Sequence, residues 1–345
     1  MKKQNLLFSI LCFFLVTILF CLPIFAVSNN KTTQDDIKLY VGGMPFGAKI
    51  ISNGLTVVKF SETKGNNASS AYAAGIRQGD IITKINNKHI NSIEDFTKEI
   101  DKIGGNEMNV TVIRDSKELT FNVKPKYSID DGKYKTGIWV KDSTSGIGTV
   151  TFITPDNCAF GGLGHAICDS STGKIVPLQR GTVMDVTING VIKGQIGTAG
   201  ELKGCFDAKK IGTLVKNSEC GVFGLLNKDT FTSPEPIMSI CHKNEIKEGE
   251  AYIWCTLDEG TPQKYKVEIT SIDTSNSSTK NLKIKICDNR LLEKSGGIVQ
   301  GMSGSPIIQN GKLVGAVTHV LINDPTQGYG IFIENMLNAM PSILK

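Results

Sequence analysis

With 345 residues, 40% hydrophobic and 21% charged, the chain carries too much apolar material for a disordered protein and enough for two or three domains. A net charge of +5, spread rather than clustered, excludes a nucleic-acid-binding surface. Nine cysteines at irregular spacings form no Cys-x-x-Cys pair, so no zinc ligand set is written here, and neither a metal nor a cofactor is expected.

The N-terminus differs in kind. Lys2 and Lys3 precede an apolar run from Leu6 to Val27, broken only by Ser9, Thr17 and Pro23. This predicts a membrane-targeting segment over residues 1–27, with the chain beyond it exported. The run is long enough to span, and Ile24-Phe25-Ala26 is a poor cleavage site, which favours an anchor over a removed signal peptide. Residues 28–37 are polar and aperiodic and read as a linker.

Residues 38–126 read as one compact unit. Ser92 precedes apolar residues at Ile93, Phe96 and Ile100, the spacing of an N-capped amphipathic helix. Asn109–Arg114 and Glu118–Val123 alternate as strands around the turn Asp115-Ser116-Lys117. The run Gly75-Ile76-Arg77-Gln78-Gly79-Asp80-Ile81-Ile82-Thr83-Lys84-Ile85-Asn86 resembles the signature of bacterial protease-associated PDZ domains. The resemblance implies a peptide groove between the strand starting at Phe46-Gly47 and the helix carrying Phe96, filled by strand addition. Phe46 and Phe96 are equally consistent with plain core positions.

Residues 127–136 form a hydrophilic bridge. From Thr136 onward short β-rich runs (147–153, 183–188, 252–256, 265–272, 282–286 and 313–320) alternate with Gly, Asp and Asn turns. This spacing predicts an all-β double barrel over 127–345, with helix only at Glu334–Met340. The expected fold class is mainly β: an α+β PDZ unit followed by a double β-barrel. Of the cysteines beyond the N-terminal segment, most are expected to be buried small hydrophobes.

Gly301-Met302-Ser303-Gly304-Ser305-Pro306 resembles the nucleophile frame of trypsin-type proteases. Gly304 lets the chain turn sharply beside the serine. The amides of Gly301 and Ser303 are then candidate donors to an oxyanion. A serine hydroxyl needs a base. Among the four histidines, His89 and His242 read as surface residues. His165, in Gly161-Gly162-Leu163-Gly164-His165-Ala166, and His319, in Val317-Thr318-His319-Val320, are the candidates, and the open glycine setting favours His165. The acceptor that orients the base is Asp288, at a strand end, or Asp169, which also reads as a turn residue.

The long run from Gly296 to Val320, the continuation through Asn323-Asp324-Pro325-Thr326 and Gly328-Tyr329-Gly330, and the segments Thr136-Gly137-Ile138, Asp142–Thr149 and Gly162–His165 resemble the SpoIVB peptidase family, stage IV sporulation protein B. The resemblance implies a trypsin-like serine endopeptidase with Ser303 as nucleophile, His165 as base and Asp288 as orienting carboxylate. It further implies export into the space between the forespore membranes, self-cleavage near the N-terminus, and a PDZ unit that binds the chain's own N-terminal region or partners. The implied substrate is a membrane-bound regulator, whose cleavage activates a late mother-cell sigma factor through an intramembrane protease. A general envelope quality-control protease and a catalytically dead PDZ adaptor are the alternatives.

Overall fold

The structure is a computed structural model, and it describes residues 37–61, 68–228, 237–258, 260–275 and 279–345. The targeting segment expected at 1–27 and the linker to residue 36 lie outside the described residues. Among the described residues no helix is long and apolar enough to cross a membrane.

Two barrels carry the molecule. In the first, Ile138–Ile153 pairs with Ala159–Gly162, which pairs with Gly221–Leu226; Glu201–Ser218 and Arg180–Ile192 follow. Arg180–Ile192 pairs with the long strand Pro45–Phe60, which closes the ring back onto Ile138–Ile153. The second is a closed barrel of Gly249–Cys255, Gln263–Ile272, Leu282–Ile286, Asp324–Phe332, Lys312–Leu321 and Pro306–Gln309. Closure removes the sheet edges that short Val/Ile-rich strands would otherwise expose. Each interior is dry: Phe46, Phe160 and Val183 fill one, and Ile253, Val267, Ile284 and Ile307 the other. Of the six β-rich runs expected beyond residue 146, five fall within these strands and the sixth, 252–256, overruns its strand by one residue.

A smaller sheet grows from the first barrel. Pro45–Phe60 bends at Gly54 (φ +105°), and its second half pairs with Ile81–Ile85 and again with Ile138–Lys141. Met108–Arg114 and Lys117–Val123 complete this sheet through a two-residue turn in which Asp115 and Ser116 both have positive φ, as a type I′ hairpin requires. The helix Ile93–Ile103 starts at Ser92, whose side chain accepts from the Asp95 amide, and it buries Phe96 and Ile100 on the sheet. Asp80 anchors this unit: it is 1% exposed, takes Arg114 through both oxygens, and accepts the Arg77 amide.

The groove expected in this unit has a different wall. Phe96 and Ile100 of the helix face Ile138 and Val140, with Tyr134 beside them. Phe46 and Gly47 are not there. Phe46 is fully buried in the first barrel, edge-to-face on Phe160 at 5.5 Å. Gly47 pairs with Ile147 and Met184, and a Cβ on it would meet the Phe206 ring. The physical reason is that Pro45–Phe60 serves two sheets. Its first half is consumed by the barrel, so residues from beyond the PDZ unit supply the strand beside the helix.

Three further differences bear on sequence reading. The hydrophilic bridge folds as a hairpin, Lys126–Ser128 with Lys133–Lys135, held by edge-to-face Tyr127 and Tyr134. A short helix, Asn289–Ser295, follows Asp288. Only Cys241 and Cys255 of the described cysteines are buried; Cys168, Cys205 and Cys287 are exposed, and all seven are free thiols.

Asp80→Ala leaves the Arg114 guanidinium without its buried partner. It is expected to lower stability by about 2–3 kcal/mol, measured by urea unfolding.

Candidate active site

The serine turn and the histidine loop meet where the barrels touch, and Thr149 joins them. Its amide donates to the Ser303 carbonyl at 2.9 Å, its hydroxyl to the Gly301 carbonyl at 2.8 Å, and its carbonyl accepts the Leu163 amide at 3.2 Å. Thr151 adds a 2.7 Å bond to the Gly304 carbonyl. Both threonines are buried and come from the strand Ile138–Ile153.

This closeness explains the glycines. Gly304 has φ +96°, and a Cβ on it would lie 1.9 Å from the Thr149 carbonyl oxygen. On the histidine loop Leu163 and Gly164 are both left-handed, at φ 65° and 67°. A Cβ on Gly164 would come within 3 Å of Thr318 and Ile331. Holding Leu163 there costs about 1 kcal/mol, offset by its fit over Gly148.

Within the turn the Met302, Gly304 and Ser305 amides donate to the Val299, Val317 and Met302 carbonyls. No carbonyl among the described residues takes the amides of Gly301 and Ser303. That leaves two donors of the kind an oxyanion requires. The Ser303 hydroxyl donates to the Thr318 carbonyl at 2.7 Å.

The next residue, His319, brings the candidates together. Its ring stacks obliquely on His165, with centroids 4.9 Å apart. His165 is half-buried, and its Nδ1 lies 2.8 Å from the Ala166 carbonyl. A carbonyl only accepts, so Nδ1 carries the proton and Nε2 keeps its lone pair. Burial holds the His165 pKa below the usual imidazole value, opposed by the Ala166 bond. His319, at the rim, is lowered by desolvation first and then by His165 and Lys280.

The orienting carboxylate is not in contact. Asp288 caps the helix Asn289–Ser295 through the Arg290 amide, binds the Arg290 guanidinium at 2.7 Å and accepts the Lys266 amide. Arg290 is the main cause of its pKa falling to about 2. No hydrogen bond among the described residues joins it to His165. In this arrangement the carboxylate serves as the N-cap of a helix that the sequence reading did not include. Asp169 is a turn residue: it accepts the Ser171 and Thr172 amides and pairs with Lys141. His89 is exposed as expected, but His242 is not, being paired with Glu334 at 2.7 Å. The described residues contain no cluster suited to a metal ion.

Two six-stranded barrels that meet at a glycine-framed serine and a histidine, beside a PDZ unit, define a trypsin-like serine protease. The SpoIVB peptidase S55 family profile matches residues 132–337 and a PDZ domain profile matches residues 42–124, so the chain belongs to the SpoIVB peptidase S55 family. No curated protein matches. Among solved structures, the active form of the Rv3671c protease from M. tuberculosis is 16% identical with a TM-score of 0.34, over 56% of this chain and 72% of that one. The HtrA-type protease AlgW with a tripeptide is 13% identical with a TM-score of 0.33, over 56% of this chain and 54% of that one. The PDZ domain of an SdrC-like protein from Listeria monocytogenes is 20% identical with a TM-score of 0.23, over 26% of this chain and 90% of that one.

Because the folded state keeps His165 neutral, the unfolded chain takes up its proton first as pH falls. Stability therefore declines from about pH 6.5 downward. Urea midpoints measured from pH 8 to 5 are expected to fall over that range in the wild type and less in His165→Gln. Thr149→Val removes only the hydroxyl that fixes the Gly301 carbonyl. It is expected to cost about 1 kcal/mol in the same assay.

Proposed function

We propose that this protein is an endopeptidase in which Ser303 attacks the substrate carbonyl and His165 is the general base. The observation that carries the reading is that one strand end addresses both residues: the Ser303 hydroxyl donates to the Thr318 carbonyl, and the ring of the next residue, His319, has its centroid 4.9 Å from that of His165. In the reaction, the Ser303 proton passes to His165 Nε2 as Oγ bonds to the carbonyl carbon. The oxyanion is held by the Gly301 and Ser303 amides. The imidazolium returns the proton to the leaving amine, and water then releases the acyl group by the same steps.

In the structure each partner is hydrogen-bonded elsewhere: Ser303 on Thr318, His165 on Ala166, Asp288 on Arg290. Catalytic hydrogen bonds commonly tighten only with substrate. We assign Asp288 the orienting role that its family resemblance implies, taken up when the triad assembles. Family membership supports the wider role: exported into the intermembrane space of the forespore, the enzyme cuts itself near the N-terminus and cuts a membrane-bound regulator of an intramembrane protease. The residues 1–27 then anchor it, and the groove beside Phe96 receives an extended peptide such as its own N-terminal region.

A fluorophosphonate probe is expected to label Ser303 in the full chain, and Ser303→Ala to abolish labelling and self-processing together. Labelling that persists in Ser303→Ala removes the assignment. Asp288→Asn keeps the helix cap but loses the charge. It is expected to slow labelling by about 10⁴-fold; an unchanged rate takes Asp288 out of the mechanism and leaves the Ala166 carbonyl as the orienting acceptor.

A further inference from the structure

His319 has no part in the reaction as written, yet it is the side chain lying on the ring of the base. It stands at the end of the strand Lys312–Leu321, where its backbone pairs with Tyr329, so its place is set by the barrel rather than by a loop. Two features point beyond packing. The preceding residue supplies the carbonyl that holds the Ser303 hydroxyl, so one strand end addresses nucleophile and base at once. And His319 is exposed while His165, on which its ring lies, is half-buried, so the ring that covers part of the base is the more solvent-accessible of the two.

We propose that His319 is a positioning residue for the catalytic base: its ring braces His165 in the cleft and shields it from solvent. The inference rests on the assignment of His165 as base. Its chemistry is desolvation. A shielded imidazole is harder to protonate, so it stays a competent base to lower pH than a solvated one. The groups that face the pair are the Ala166 carbonyl at Nδ1 of His165, and, on the His319 side, Lys280, whose amine lies over the Tyr329 ring. Lys280 adds to the cost of charging His319, so at working pH the cover is neutral and does not repel the imidazolium formed during catalysis.

The test is a pair of variants in the full chain, His319→Ala and His319→Phe, read by NMR titration of the His165 ring and by the pH dependence of fluorophosphonate labelling. His319→Ala is expected to raise the His165 midpoint towards the ordinary imidazole value and to move the acid limb of the labelling profile to higher pH with it. His319→Phe keeps a flat cover without ring nitrogens and is expected to restore both to near the wild-type values. An unmoved midpoint in His319→Ala overturns the proposal. So does a His319→Phe variant as impaired as His319→Ala, which assigns the effect to the ring nitrogens instead. The NMR midpoint reads the contact even if the wild type fails to label, so failure of the protease assignment and failure of the cover are told apart.

Discussion

The site depends on one stitch between the barrels. Thr149 and Thr151, from a strand of the first, hold three carbonyls of the serine turn that leads into Pro306–Gln309 of the second. The same Thr149 carbonyl takes the amide of Leu163, two residues before the candidate base. These bonds are buried, so breaking one leaves an unsatisfied polar group as well as losing a contact. The stitch also explains why Gly304 admits no side chain: the carbonyl that fixes the histidine loop occupies the space a Cβ would need.

A second constraint ties the groove beside Phe96 to this site. The strand Ile138–Ile153 borders the groove at its start and carries the stitch near its end. Between them, Asp142 accepts the Ile93 amide at the first residue of the groove helix, and Lys141 pairs with Asp169, four residues after His165. Gln78 and Asp115 of the PDZ unit also reach the loop beyond His165, binding Ser171 and Lys174. These surface pairs contribute little energy each, but several on one short loop restrict its motion relative to the PDZ unit.

The electrostatics of the site are set by desolvation. His165 lies against the His319 ring, with no carboxylate hydrogen-bonded to it among the described residues, and burial favours its neutral form. Asp288 shows the opposite case, held charged by Arg290 and two backbone amides. The His165 imidazole is thus neutral with its Nδ1 on a backbone carbonyl, the Asp288 carboxylate is paired separately, and the Ser303 hydroxyl donates to the Thr318 carbonyl.

What the sequence determined by itself was whatever local chemistry dictates. Ser92 capped a helix because its hydroxyl satisfies a free amide; Asp115-Ser116 made a hairpin because both accept positive φ; alternating Val/Ile runs became barrel strands because their two faces differ. The serine turn and the glycine-flanked histidine were legible for the same reason, since close backbone approach leaves only glycine. Tertiary structure alone decided which strands met. Pro45–Phe60 is one strand in the structure, and nothing local in the sequence says that its first half closes a barrel and buries Phe46. The cover made by His319 and the stitch made by Thr149 are likewise contacts between distant segments. Each side chain reads as an ordinary strand or turn residue until the barrels close and bring its partner within reach.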